Sequence, residues 1–428
     1  MSIHTKWKID EGFFKDTLTL LAGTGGSQLL SVLMVPVITR LFSVENFGVM
    51  TTFSTVTLTI AVFACAGYDQ AINLPKDDKQ AWNLFCLCIY FNIAFYLILH
   101  ILTFSFNDWI THWIFKTEKN MFVYLLPVTV FFRGIYMAMM FWMIRFRNFA
   151  TLSVAGFIGV AGNQGTKLIG GYCVGDSVSF LILGTLFSNI FPCISFAARM
   201  YRQTPREIFR FPSKLGLIYV GYKYRNFPLY STWVELLINL GRSIPVLLLA
   251  SAYDNTTVGY FGLAYTILTL PISLFNVTVR QACLPRITAL MNERKPVSAF
   301  LQKIIMGLSA VSIIPFTLIM IYGPDLVSFI FGSNWREAGV YARLLVPWCF
   351  TMLLVPPASV VLTVTQNQAF RLIFYSALTV FQIIIFIIPT YLKMDIHVLL
   401  TTLSLGSSAF YIGKIFFGYR RALNYRNL

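Results

Sequence analysis

The segment IIMGLSAVSIIPFTLIMIY, residues 304–322, contains no charged residue. A helix that crosses a membrane needs about 20 predominantly apolar residues, so this segment predicts one such helix. The whole chain has the same character, with 57% hydrophobic residues, 12% charged residues and a mean hydropathy of +0.70. Soluble domains carry roughly twice that share of charge. We therefore expect an integral membrane protein whose solvent is lipid.

Comparable apolar runs lie on both sides of this segment along the chain. Their lengths predict an all-α, polytopic membrane protein with about twelve transmembrane helices. The loops are too short for an independent domain, and the longest, from about Arg199 to Arg225, is predicted to be a basic linker on the inner membrane surface. The predicted helices lie near residues 17–39, 47–68, 82–104, 121–143, 150–172, 177–198, 228–251, 257–279, 301–322, 341–364, 370–391 and 396–418.

Basic residues are concentrated in one set of alternate loops. This set contains Lys76, Lys79, Arg145 and Arg147, among others, whereas the opposite set has few cations, such as Arg40. Because loops rich in Lys and Arg stay in the cytoplasm, the asymmetry predicts that both termini are cytoplasmic. The formal net charge of +16 thus belongs to membrane-flanking loops, which argues against nucleic acid as a partner.

The sequence lacks the motifs of the common catalytic and metal sites. Nearly all of its seven cysteines lie in apolar runs, and Cys86 and Cys88 are too close together for a CxxC metal pair. It has no Walker A motif, nucleophile elbow or helical zinc motif. We therefore expect a protein that is not an enzyme and that uses no cofactor or metal.

Short sequence matches recur in order in the two halves of the chain. For example, ENFG at residues 45–48 corresponds to TTVG at residues 256–259. The common order of these matches predicts two six-helix bundles, residues 1–215 and 216–428. They would be related by a pseudo-two-fold axis along the membrane normal. Chance similarity between apolar sequences is the alternative explanation.

Four ionisable side chains fall inside predicted helices, namely Arg133, Lys167, Glu235 and Arg242. A charge at the bilayer centre costs ~2.5–3.5 kcal/mol on insertion scales, so each is expected to face protein or water. Arg133 and Lys167 have no acidic partner in their own helices, and unpaired cations in a cavity suit an anionic ligand. The alternative is that these charges pair with other helices for stability alone. Lys414 is instead expected to be an anchor at the membrane interface.

The seventh predicted helix has a polar face. Thr232, Glu235, Asn239 and Arg242 are spaced by three, four and three residues, which places them on one side of a helix. In the first predicted helix, Gln28 is the position that matches Asn239. We assign Glu235 as the candidate for ion coupling. The predicted substrate-binding residues are Arg133, Lys167, Arg242, Asn239 and Gln28.

Four segments carry a family resemblance. They are ITRLFSVENFG at residues 38–48, NLPKDD at 73–78, FWMIRFRNF at 141–149 and GSNWREAGVYA at 332–342. These segments resemble the first outer loop, the first inner loop, the inner loop between helices 4 and 5, and the stretch that leads into helix 10 of Wzx-type polysaccharide flippases. The chain is thereby identified as a member of the multidrug/oligosaccharidyl-lipid/polysaccharide (MOP) exporter superfamily.

The resemblance implies two six-helix bundles that form a V around a cation-lined cavity, to which Arg133, Lys167 and Arg242 would contribute. It implies a multi-pass protein of a bacterial inner membrane that flips undecaprenyl diphosphate-linked oligosaccharide to the periplasmic leaflet by alternating access. The product would enter O-antigen (lipopolysaccharide), capsule or exopolysaccharide assembly. Coupling to an ion gradient and partnership with the polymerase and chain-length proteins of the pathway are also expected.

Three alternative functions compete with a flippase. A multidrug or organic-ion exporter of the same superfamily would favour an acidic cavity for organic cations, whereas the candidate residues are mostly basic. A membrane polysaccharide polymerase would be expected to carry a large, charged outer loop, and this chain has none. A structural scaffold would not need charges inside the membrane.

Overall fold

The computed structural model describes residues 11–117, 121–203, 212–293, 295–365, 367–391 and 395–424. Within these ranges the chain is helical and has no strand. The extreme termini, which are predicted to be cytoplasmic, lie outside them. In chain order, the α-helices are α1 (Glu11–Leu41), α2 (Val44–Ile60), α3 (Tyr68–Ala71), α4 (Asp78–Ser105), α5 (Asn107–Ile110), α6 (Leu125–Arg145), α7 (Phe149–Cys173), α8 (Val178–Gln203), α9 (Lys214–Lys223), α10 (Thr232–Ala252), α11 (Asn255–Asn292), α12 (Val297–Phe331), α13 (Arg336–Val364), α14 (Gln368–Tyr391) and α15 (Ile396–Asn424).

Each of the twelve predicted segments coincides with one long helix, namely α1, α2, α4, α6, α7, α8 and α10 to α15. The prediction of an all-α polytopic fold is confirmed. Among the described residues, eight of these helices are long and apolar enough to cross a membrane: α2, α4, α6, α8, α10, α12, α13 and α15. Helix α7 is not one of the eight, and it contains Asn163, Gln164 and Lys167, which lower its mean hydropathy.

The chain forms two compact units, and unit 1 consists of Met1–Ile38, Thr57–His112 and Thr117–Glu235. Its core lies between α4, α6 and α8, where Leu84 and Trp142 are fully buried. Helix α7 packs closely on α8, because Gly159 leaves room for the ring of Pro192. Unit 1 thus contains α6 and α7, which carry Arg133 and Lys167.

Unit 2 consists of Thr39–Val56, Trp113–Lys116 and Leu236–Leu428. Its core is formed largely by α11, α13 and α15, where Trp348 and Leu403 are buried. Two short segments from the first half of the sequence, Thr39–Val56 and Trp113–Lys116, therefore belong to unit 2. The division into the sequence halves 1–215 and 216–428 stays a prediction.

Helices α2 and α11 begin at matched positions of the predicted repeat. The Ser43 Oγ accepts a hydrogen bond from the Asn46 N–H at 3.3 Å, which caps the start of α2. Asp254 caps α11 in the same way, because its Oδ1 accepts from the Thr257 N–H at 3.0 Å. A side-chain acceptor at this position satisfies one of the free N–H groups of the first helical turn.

The two helices also cross each other through reciprocal contacts inside unit 2. A Cβ on Gly48 would clash with the carbonyl of Asn255, and a Cβ on Gly259 would clash with the carbonyl of Val44. The interval is 211 residues both from Gly48 to Gly259 and from Val44 to Asn255. Each half of the repeat therefore supplies the same glycine to the crossing. This is the contact pattern of a pseudo-two-fold axis.

Two of the segments with family resemblance meet in unit 2. The Trp335 Nε1–H donates to the Thr39 carbonyl at 2.8 Å, and the Thr39 hydroxyl donates to the Phe331 carbonyl at 3.2 Å. Arg40 donates to the carbonyl of Phe329 at 3.2 Å. A cation at the C-terminal end of α12 satisfies free carbonyls and opposes the helix dipole. The hydrogen bond between Trp335 and Thr39 thus joins the two segments directly.

Candidate functional site

Arg133 lies on the third turn of α6 in unit 1 and is half-buried. Its guanidinium carbon lies 5.1 Å from the centre of the Tyr136 ring, which is a cation–π contact. Within the described ranges, Arg133 forms no ion pair and no side-chain hydrogen bond. The guanidinium retains its five donors for another group.

Lys167 is buried on α7, with 7% of the residue exposed. Its aliphatic stem lies beside Gly184 of α8, where an added Cβ would be 3.0 Å from the Lys167 Cε. No described residue forms an ion pair or hydrogen bond with the ammonium. One turn away on the same helix, Asn163 Oδ1 and Gln164 Oε1 are also buried without a hydrogen-bond partner. Unit 1 therefore contains a cluster of polar groups with unused hydrogen-bonding capacity.

Gln28 lies on α1, which approaches α7 closely. An added Cβ on Gly23 would clash with Ser153, and one on Gly156 would be 3.9 Å from the Ser27 Oγ. Gln28 follows Ser27 and is half-buried. The structure thus places Gln28 on a helix that packs against the helix of Lys167.

Glu235 is the last residue of unit 1 and is half-buried on α10. It lies within electrostatic range of Asp69 in the short helix α3. Asp69 is 7% exposed, and burial raises the pKa of its carboxyl to about 6, with the negative charge of Glu235 acting in the same direction. The chain turns sharply just before Asp69, since Ala66 and Gly67 have φ angles of +49° and +72°. Asp69 is thus the acidic neighbour of Glu235, the candidate for ion coupling. The sequence analysis did not assign Asp69 to the site.

Asn239 and Arg242 belong to unit 2, although they share α10 with Glu235. Asn239 is half-buried, whereas Arg242 is exposed. Arg242 lies within electrostatic range of Tyr265 and Tyr411 of the same unit. The placement of Arg242 in a cavity shared with Arg133 and Lys167 stays a prediction.

The interpretation of Lys414 as an interfacial anchor is wrong. Lys414 is 2% exposed inside unit 2, its ammonium lies 3.4 Å from the Tyr375 hydroxyl, and the centre of the Phe374 ring is 4.7 Å away. It shares a face of α15 with Tyr411, which is also close to Arg242. The spacing of Ser407, Tyr411 and Lys414 by four and three residues was the available signal for this polar face.

Residues 37–340 of the chain match the model of a protein family described as polysaccharide biosynthesis protein. This chain belongs to that family. The match includes Arg133, Lys167, Glu235, Asn239 and Arg242, and it covers more than half of the sequence. No curated protein sequence matches the chain.

Solved structures with a similar fold are transporters and flippases. A multidrug resistance MATE family transporter of the MOP superfamily, in its inward-facing conformation, is 17% identical with a TM-score of 0.75, over 94% of this chain and 96% of that one. The lipid II flippase MurJ, in an inward closed conformation, is 13% identical with a TM-score of 0.75, over 94% and 87%. A MOP superfamily transporter from Pyrococcus furiosus is 15% identical with a TM-score of 0.59, over 95% and 94%. The chain therefore has the fold of the MOP superfamily transporters.

Proposed function

We propose that this protein flips undecaprenyl diphosphate-linked oligosaccharide repeat units from the cytoplasmic to the periplasmic leaflet of a bacterial inner membrane. The observation that carries this proposal is a pair of cations in unit 1 for which the described residues supply no opposite charge. Arg133 and Lys167 lie on predicted membrane helices, and no described residue forms an ion pair with either. A buried cation is costly unless an opposite charge accompanies it, and the substrate's diphosphate is such a charge.

The chemistry of the substrate explains why cations are needed. The difficult step in flipping is the passage of a diphosphate and polar sugars through hydrocarbon. Arg and Lys side chains replace part of the headgroup hydration, while the polyprenyl chain stays in lipid. Asn163 and Gln164 offer carbonyl oxygens that lack a partner, and sugar hydroxyls are suitable donors to such atoms. Alternating access between the two bundles would then move the headgroup.

The main competing proposal is a multidrug or organic-ion exporter, since MATE transporters share the fold. Cationic drugs would meet electrostatic repulsion from Arg133 and Lys167. The family match, to polysaccharide biosynthesis proteins, also favours a saccharide substrate. A polysaccharide polymerase is less well supported, because the structural neighbours are transporters and flippases.

Net transport requires an energy source, and we propose that an ion gradient supplies it through Glu235. The buried Asp69 supports this assignment, because it lies within electrostatic range of Glu235 and adds a second acidic group for a cation to approach. We also propose that both termini are cytoplasmic and that the polymerase and chain-length proteins of the same pathway are partners.

Deletion of the gene tests the proposed function directly. We expect surface polysaccharide to disappear while the undecaprenyl diphosphate-linked unit accumulates in the cytoplasmic leaflet. Complementation with Arg242→Lys should restore part of the polysaccharide, whereas Arg242→Ala and Arg242→Glu should not, at equal amounts of folded protein. Normal surface polysaccharide in the deletion strain, together with increased sensitivity to cationic drugs, would favour the exporter.

A further inference from the structure

Helix α9 lies against the first turns of α4 in unit 1, and its inner face is well defined. Val220 is fully buried, and the Tyr68 hydroxyl donates to the Gly221 carbonyl at 3.0 Å. Gly216 faces α4 as well, because an added Cβ would be 2.7 Å from Asn83 Nδ2. These contacts fix the rotation of α9 and therefore determine which side chains point away from the protein.

The opposite face of α9 is apolar and exposed. Four exposed residues form this stripe, and their spacing by three, one and three residues places them on one side of the helix. A helix at the surface of a water-soluble protein carries polar residues on this side. The stripe therefore needs an apolar covering other than the described part of this chain. The exposed residues are Leu215 (80%), Ile218 (68%), Tyr219 (55%) and Tyr222 (68%).

Cations surround this stripe. Lys214, Lys223 and Arg225 are exposed, and residues 212–234 contain no Asp or Glu. The Lys223 ammonium lies 5.4 Å from the centre of the Tyr219 ring, and the Arg225 guanidinium carbon lies 4.3 Å from the centre of the Tyr222 ring. The cations are thus held beside the aromatic members of the stripe, and the surface is positively charged and apolar at the same time.

The size of α9 excludes a membrane-spanning role. Its 10 residues extend about 15 Å, half the thickness of the hydrocarbon core. Tyrosine rings and basic side chains prefer the headgroup region, and an amphipathic helix with this composition lies in the plane of the interface. We propose that α9 is a lipid-binding helix that inserts its stripe between acyl chains and binds the phosphates of anionic phospholipids through Lys214, Lys223 and Arg225.

Full-length protein in nanodiscs tests this proposal. The exposed Cys173 is replaced by Ser, and an environment-sensitive fluorophore is attached to the cysteine of the variant Ile218→Cys. Lipids with brominated acyl chains serve as quenchers. We expect strong quenching at position 218 and weak quenching at Lys76→Cys, an exposed loop position of the same unit. At equal mole fraction, brominated phosphatidylglycerol should quench more strongly than brominated phosphatidylcholine.

Charge variants separate the phosphate contacts from simple insertion. Replacement of any one of the three cations by Gln should reduce the local enrichment of phosphatidylglycerol by about fivefold. The exchange of Lys214 and Lys223 for Arg and of Arg225 for Lys is the matched control and should preserve the enrichment. All variants are compared after size-exclusion confirms the folded protein. A fluorophore at position 218 that is quenched by aqueous iodide but not by brominated lipid, or an equal response to the two lipids in the native sequence, would overturn the proposal.

Discussion

Lys167 combines burial, positive charge and the absence of an ion pair within the described structure. An uncompensated buried charge lowers stability, and a ligand that supplies the opposite charge would offset this cost. Gly184 makes the arrangement possible, because any larger residue there would collide with the stem of Lys167 or with Asn163. We therefore propose a functional role for this cation, and a variant without the charge tests it against a structural role.

Replacing Lys167 by Met removes the charge and keeps the approximate length of the side chain. We expect the free energy of unfolding to rise by ~1–3 kcal/mol, because the desolvation cost of the charge disappears. We expect transport to fall by about tenfold or more, because a charge-assisted hydrogen bond to the substrate is lost. Thermal denaturation in detergent and a lipid-linked saccharide transport assay measure the two effects. Lys303→Met, at an exposed cation of α12, is the control and should leave both unchanged. A structural role of Lys167 would instead lower stability in the Met variant.

Asp69 makes stability depend on pH. It lies in α3, between the spans Val44–Phe63 and Asp78–Ser105, and burial raises its pKa from 3.8 to about 6. The folded protein therefore binds a proton more tightly than the unfolded chain does. The stabilisation by this proton is complete below the unfolded pKa of about 4 and is lost as the pH rises through about 6, with a total of roughly 3 kcal/mol.

We expect Asp69→Asn to remove most of this dependence, since the amide has no proton to lose. The melting temperature of the variant should vary less than that of the native protein between pH 4 and pH 7. Asp108→Asn, at an exposed aspartate of the same unit, should retain the native pH profile. Identical profiles for Asp69→Asn and the native protein would show that Asp69 titrates near its ordinary pKa.

At the scale of elements, the crossing of α2 and α11 depends on two glycines. A methyl group on Gly48 or Gly259 would meet the backbone carbonyl of the other helix, which cannot move like a flexible side chain. We expect Gly48→Ala and Gly259→Ala each to lower the free energy of unfolding by ~1–3 kcal/mol through overpacking. Thermal denaturation in detergent provides the comparison.

Gly307→Ala on α12 is the matched control for these substitutions. An added Cβ at Gly307 meets nothing within 4 Å, so Ala should be neutral or stabilise the helix by up to ~1 kcal/mol. Because Ala favours a helix more than Gly does, an equal loss of stability in all three alanine variants would show that the crossing is not the cause.

The long helices could be predicted from the sequence, whereas their partners could not. Hydropathy over about 20 residues is a local property, which is why segments such as 304–322 identify α12. The contact between Lys414 and Tyr375 joins residues on two different helices, and nothing local to Lys414 shows that α14 covers it. The stretch that contains α9 was predicted, from its charges, as a basic linker on the inner membrane surface. The helix itself was not predicted, because 10 residues are too short for a membrane span.

At the scale of the whole molecule, the distribution of Lys and Arg predicts the topology. Residues 199–225 carry many cations and the turn at Asn255 carries none, so α10 should cross the membrane between them. A reporter fused after Arg225 is expected to be cytoplasmic and one fused after Asn255 to be periplasmic. Two fusions on the same side would contradict the predicted order of all later helices.

The predicted repeat agrees with the matched helix starts at Ser43 and Asp254 and with the reciprocal glycines. The sequence also identified the four charged side chains inside predicted helices. It could not show that Arg133 and Lys167 fall in unit 1 and Arg242 in unit 2, because membership of a compact unit depends on packing between distant segments.

The reciprocal crossing has an evolutionary consequence. An interface that uses one patch twice is that of a homodimer, and it survives when two gene copies fuse into one. On the axis itself a homodimer must place identical residues opposite each other. Here Thr51 faces Gly262, one repeat interval of 211 residues away, and an added Cβ on Gly262 would be 2.6 Å from the Thr51 Oγ1. A single chain can thus pair a large residue with a small one at the axis, which a symmetric homodimer of identical half-length chains cannot do. A half-length chain carrying Thr51 would meet a second threonine there and would have to separate its helices.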